Sequence, residues 1–312
     1  MTTKSVRFAI AAAIAVVAAG CGQSQNAPQS AAAPAAVVAP APSTPDGALS
    51  ATIKALRNNN IAAVIDNALP AGEVAKMKAD WTKEMNKDPV TDEDRKQFAE
   101  TITKLTAPDA EAKMYAEIEP KLKEFDAQSA QQMPMMIAMG QGFVQSSIQQ
   151  NKDLSDSQKQ QASAMIDATA KWAQQTKFTD PALVKNAIAA ICKTARDLNL
   201  KSIDEARALS YDQAMQKAGI VLGGVKQVLG VYGLNVDKSL DSVKVETVSA
   251  TGDAAKVKVT YTAFEQPFTT DSDLVKVDGR WYGKQAIEQW KKHEQEGAAG
   301  AVASDKAPES KG

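Results

Sequence analysis

The chain has 312 residues, 36 basic against 37 acidic side chains and 5% aromatic residues. Acids and bases are interleaved, which suits solvated helix faces and provides no strongly basic face for nucleic acid. The one histidine, His293, stands beside a patternless tail, which argues against triads, histidine-rich zinc sites and histidine acid–base pairs.

At the N-terminus, Lys4 and Arg7 precede an uncharged Ala/Ile/Val run from Phe8 to Ala19. The run is shorter than the roughly 20 apolar residues a permanent span needs, but it suits the core of a secretory signal. Ala18-Ala19-Gly20-Cys21 follows, and it resembles the lipobox of bacterial lipoproteins. The resemblance implies cleavage before Cys21 and acylation of Cys21. It also implies transfer to the periplasmic face of the outer membrane, because Gly22 replaces the aspartate that marks inner-membrane retention in that family. A single acyl chain binds a bilayer only marginally, so stable anchoring needs the two or three that such lipoproteins carry. Loss of Lys4 and Arg7 leaves 34 basic against 37 acidic residues, a balance of −3.

The expected organisation is a signal peptide over 1–20, an anchor and Ala/Pro tether over 21–45, a helical domain over 46–200, a small α+β domain over 201–296 and a disordered tail over 297–312. Pro28, Pro34, Pro40, Pro42 and Pro45 stiffen the tether, which has no charge before Asp46.

From Asp46 to about Gly233 the pattern is helical. Ile53 and Leu56, then Ile61, Val64 and Ile65, give two short helices parted by Asn58-Asn59-Asn60. Val74, Met77 and Trp81 mark the next, which ends before Asp88-Pro89. Thr91 with Asp94, Ser202 with Glu205 and Ser210 with Gln213 have capping-box spacing, and Thr106-Ala107-Pro108-Asp109 and Thr179-Asp180-Pro181 place a capping side chain ahead of a proline. Cys192, in Ala189-Ala190-Ile191-Cys192, reads as a small buried hydrophobe. Gly219, Gly223, Gly224, Gly230 and Gly233 lack phosphate-loop spacing and suggest close helix packing.

Met133, Met135, Met136 and Met139 surround Pro134. Met133, Met136 and Met139 are weak soft-ligand candidates for Cu(I); the plainer expectation is flexible methionines filling an irregular core beside a proline kink. The paired acids Asp92, Glu93 and Asp94, and Asp204 with Glu205, suit helix N-termini better than catalysis. No cofactor is expected.

After Gly233 the period becomes two. Val243, Val245 and Thr247 form one strand, and Val257, Val259, Tyr261 and Ala263 another. Leu274 to Val277 and Arg280 to Gly283 flank Asp278-Gly279, a hairpin signal, and a helix carrying Ile287 and Trp290 follows. Alternation sends Trp281 and Tyr282 to opposite faces, and Trp281 is expected inward and Tyr282 outward. The fold class is therefore α+β: a long all-helical region, then three to four antiparallel strands packed against helices. Asp278-Gly279-Arg280-Trp281-Tyr282 resembles the terminal strand pair of nuclear transport factor 2-like envelope proteins, and the Ala48 to Ile65 segment suits their opening helix. That class hosts enzymes and binding modules alike.

Two functions follow as expectations. One is a non-catalytic, envelope-anchored interaction protein: a scaffold, an assembly factor, or an inhibitor or immunity partner. The other is a carrier of a small molecule or lipid in a cavity lined by Val257, Val259, Tyr261 and Trp281. A dry, contiguous pocket favours the carrier, and an exposed apolar patch over a filled core favours the interaction protein.

Overall fold

The computed structural model describes residues 43–129, 132–152 and 154–292. Cys21, His293, the expected signal peptide and the 297–312 tail lie outside these residues. The described chain is α+β, with helices throughout its first part and a four-stranded antiparallel sheet near its end.

Among the described residues eleven helices precede the sheet: α1 Pro45–Arg57, α2 Ile61–Ala68, α3 Ala71–Met85, α4 Asp92–Thr106, α5 Ala110–Ser129, α6 Met133–Gln150, α7 Asp156–Gln175, α8 Pro181–Leu198, α9 Ile203–Arg207, α10 Tyr211–Val231 and α11 Val236–Asp241. Pro45, expected to end the tether, instead opens α1, where its missing amide is one the first turn leaves unpaired anyway. Their starts follow the local chemistry. Thr91 and Asp94 close a reciprocal capping box on α4, as Ser210 and Gln213 do on α10. The Asp180 carboxylate accepts from the Ala182 and Leu183 amides ahead of α8, and the Ser202 hydroxyl accepts from the Glu205 amide. Such caps satisfy amides that the first helical turn leaves unpaired, each for about 0.5–2 kcal/mol. Between α1 and α2 the chain reverses at Asn59, which has φ 55°.

The strands β1 Lys244–Thr251, β2 Ala254–Ala263, β3 Gln266–Val277 and β4 Arg280–Gly283 form a meander in the order β1-β2-β3-β4, and residues 284–292 are helical. Asp278 and Gly279 have φ 49° and 80°, the positive pair that a type I′ turn requires. β3 begins eight residues before the strand expected at Leu274. The hairpin that precedes it turns on Phe264 and Glu265, both at positive φ without glycine or asparagine. That conformation costs a non-glycine residue roughly 1–3 kcal/mol. Burial offsets it here, since Phe264 packs on the Ala168, Ala263 and Phe268 cluster with its ring 6.1 Å from that of Trp172.

α1 covers one face of the sheet, its Ala48 and Leu49 lying on Ala255, Val257, Val259, Leu274 and Trp281. The outward placement expected for Tyr282 is corrected: Trp281 and Tyr282 are both buried, at 6% and 2% exposure. Alternation still sends them to opposite sides, but both sides of β4 are covered. On the Tyr282 side, Arg280 lies over the Tyr282 ring and donates to the Asp66 carbonyl in α2, at 3.3 Å.

α10 runs along α8 and against the α1–α2 turn, and a glycine permits each approach: a Cβ on Gly224 would overlap the Thr194 side chain of α8, and one on Gly219 the Asn59 carbonyl of the turn. α1 on the sheet and α10 on α8 both cross the boundary expected at residue 200. A buried charge ties these layers together. The Lys226 ammonium, 4% exposed, lies 2.6 Å from Asp237 and donates to the last carbonyls of α1 at Leu56 (2.7 Å) and Arg57 (3.3 Å). Burial pushes its pKa below the ordinary lysine value, against the opposing pull of Asp237. Arg57 pairs with Asp237 and Asp241 at 3.1 and 2.7 Å.

Candidate functional site

The residues expected to line a carrier cavity are packed among themselves. Val257 is fully buried, Val259 and Trp281 nearly so, and Tyr261 is partly buried and stacks on Phe268 with ring centroids 5.7 Å apart. They form the sheet's own core beneath α1. A groove of about 420 Å³ opens elsewhere, between α4 and the end of α8, beside Ile102, Thr106 and Arg196. Its guanidinium is already engaged, holding the Glu111 carboxylate at 2.6 and 2.9 Å and the Ala107 carbonyl at 3.0 Å. Arg196 keeps the Glu111 carboxyl down at a pKa of about 2.

Cys192 is as inert as its sequence setting suggests. Its thiol is fully buried among Ala110, Val184 and Ile188, 3.6 Å from the Met114 sulfur, and burial raises its pKa. Thiolate character is what makes a cysteine reactive, so this residue serves packing.

The unusual surface is on α6. Five of the nine large apolar side chains that stand exposed among the described residues belong to this helix: Met135, Met136, Met139, Phe143 and Val144. Met139 is 69% and Phe143 75% exposed. No residue of α6 is buried. Its inner flank, the half-buried Met133, Ile137, Gln141, Gln145 and Ile148, lies toward α7, where Gln141 and Gln145 donate to the Asp167 carboxylate at 2.8 and 2.5 Å. The large apolar residues are left on the outer flank.

α7 holds this hairpin to the body through its C-terminal half. Trp172 donates from Nε1 to the Tyr232 carbonyl at 2.8 Å and meets Phe178 edge-on, while Ala168 packs on Ala263 and Phe268. α6 itself is thus supported mainly by α7.

The expectation that the methionines fill an irregular core beside a kink is corrected by this arrangement. Pro134 lies in the first turn of α6, where its missing amide breaks no helical hydrogen bond, and Met135, Met136 and Met139 face outward. Of the three soft-ligand candidates, Met136 and Met139 share the exposed flank and Met133 lies on the flank toward α7, so the helix sets Met133 apart from the other two. Among the described residues no cluster of three His, Cys, Asp or Glu side chains could hold a metal ion.

Phe143 and Val144 are the members of this surface that motif analysis missed, and a plain count would have found them. Between Asp126 and Lys152 the chain carries no charge for 25 residues, whereas 23% of the whole sequence is charged. Helix α6, apolar on its outer flank, lies within this stretch and lacks the charged face that usually keeps a surface helix solvated.

No helix among the described residues is long and apolar enough to cross a membrane. No family model matches the chain, and no curated protein or solved structure matches it.

Proposed function

We propose that this protein is a non-catalytic interaction protein, held in the bacterial envelope by acyl chains on Cys21, whose docking surface is the outer flank of α6. The observation that carries the proposal is the pairing of an exposed apolar helix face with a filled sheet core. Contiguous exposed apolar surface is costly in water and marks interaction sites on soluble domains. Methionines suit such a role, because their unbranched, polarizable side chains adapt to the surface they meet. The lipobox-like Ala18-Ala19-Gly20-Cys21 supports anchoring at the outer membrane, with the Ala/Pro tether as the reach between bilayer and body.

The test is photocrosslinking in cells. With p-benzoylphenylalanine in place of Phe143, irradiation is expected to give protein adducts; the same group in place of the exposed Lys256 on β2 is expected to give none. Equal yields from the two positions, or none from position 143, overturn the interaction reading. Metabolic labelling with a palmitate analogue tests the anchor separately: Cys21→Ser is expected to abolish the label.

A further inference from the structure

The outer flank of α6 has an internal symmetry. Met135, Met136, Met139, Gly140, Phe143 and Val144 are all exposed, and they pair around the midpoint between 139 and 140: Met135 with Val144, Met136 with Phe143, Met139 with Gly140. They form two adjacent rows at i, i+4 spacing, Met135–Met139–Phe143 and Met136–Gly140–Val144. Rows of this spacing are the ridges by which helices interlock, crossing at about 50° when both partners use them. Gly140 lies at the middle of the second row with open space where a Cβ would stand, so the surface is hollow at the centre of symmetry.

We propose that the partner of α6 is the α6 of a second copy of this chain, the two helices packed antiparallel about a twofold axis through the 139/140 midpoint. The proposal rests on the reading of α6 as an interaction face and names its occupant. A twofold axis there lays Met139 of each copy into the Gly140 hollow of the other and sets Met136 against Phe143, a thioether beside an aromatic ring. A twofold interface presents the same patch from both sides, so it must be self-complementary in shape and charge. The 25-residue stretch without charge meets the second condition: no like charges are opposed and none is buried unpaired. A bilayer surface is a poorer occupant, because helices that lie in the interface carry Lys and Arg on their polar face. α6 has neither, and Gln141 and Gln145 are engaged with Asp167.

The experiment uses the full chain carrying Cys21→Ser, in which Cys192 is fully buried and an introduced surface cysteine is the reactive thiol. Chains with Met136→Cys and chains with Phe143→Cys are mixed and mildly oxidised. The antiparallel pairing predicts that 136 bridges to 143 at least tenfold faster than 136 bridges to 136. Sedimentation velocity of the Cys21→Ser chain is expected to show a concentration-dependent dimer that Met139→Glu converts to monomer with an unchanged far-ultraviolet circular dichroism spectrum. Faster 136-to-136 bridging, or a monomer at every concentration, overturns the proposal. Crosslinking at position 143 separates its failure from that of the interaction reading. Adducts at twice the chain mass support pairing. Adducts of another mass, with a monomeric chain, overturn pairing and leave α6 an interaction face; an absence of protein adducts overturns both.

Discussion

Helices α6 and α8 are each 18 residues long, and α6 is the more apolar, yet the protein buries α8 and exposes α6. α8 places Val184, Ala187, Ile188, Cys192 and Ala195 in the interior, and α6 buries nothing. The difference lies in residue size and neighbours. Alanines, Cys192 and Thr194 let α8 fit closely between α5 and Gly224 of α10, whereas the long methionines and the phenylalanine of α6 extend from a helix supported mainly by α7. Apolar content alone therefore does not decide burial. What decides it is whether another element is positioned to receive the side chains.

The largest effect that could break this comparison is expected in the buried half. Ile188→Ala is expected to cost about 2–5 kcal/mol and Tyr282→Ala about 3–5 kcal/mol, the range for large core truncations. Urea denaturation measures both. A loss below about 1 kcal/mol at Tyr282 would mean that the second side of β4 is not closed as described.

Next in size is Lys226→Met, which removes the link between α10, α11 and the end of α1. Breaking one side of a buried ion pair typically costs about 3–5 kcal/mol, and the lower figure is expected here because Arg57 still neutralises Asp237. If thermal melting shows Lys226→Met as stable as the parent, the network is dispensable to the body that holds α8.

A smaller effect sits on the solvent edge of α8. Because Arg196 holds the Glu111 carboxyl at about 2 in the folded protein, against an ordinary value of 4.5, the unfolded chain binds more protons between these pH values. The pair's contribution is therefore complete above pH 4.5 and is lost as the pH falls toward 2. Chemical denaturation of Glu111→Gln across this range is expected to show a shallower acid-side decline than the parent. An unchanged slope removes the pair from the account.

The smallest expected effect is on α6. Phe143→Ala is expected to change monomer stability by less than about 0.5 kcal/mol, as surface substitutions do, despite removing a large aromatic ring. Measured at a concentration too low for pairing, a loss of 2 kcal/mol or more would show that Phe143 is packed within its own chain.

Much of the architecture was legible in advance because its causes are local. Thr91, Asp180, Ser202 and Ser210 start helices through bonds that span two or three residues, and Asp278-Gly279 turns a hairpin through its own backbone preference. The Phe264-Glu265 turn was not legible, since its positive φ angles go with a half-buried ring packed near Trp172 of a helix some ninety residues earlier in the chain. Alternation correctly separated Trp281 from Tyr282, but it carries no information on whether one side of a strand or both will be covered.

The sequence alone thus determined the helical run, the switch to antiparallel strands and the short-range caps, because each is set by interactions within a few residues. Tertiary structure decided that Val257, Val259 and Trp281 fill a core beneath α1, that Tyr282 is enclosed, and that the methionines of α6 face outward. Those outcomes depend on which distant element arrives over each face, and a chain's local preferences do not specify that.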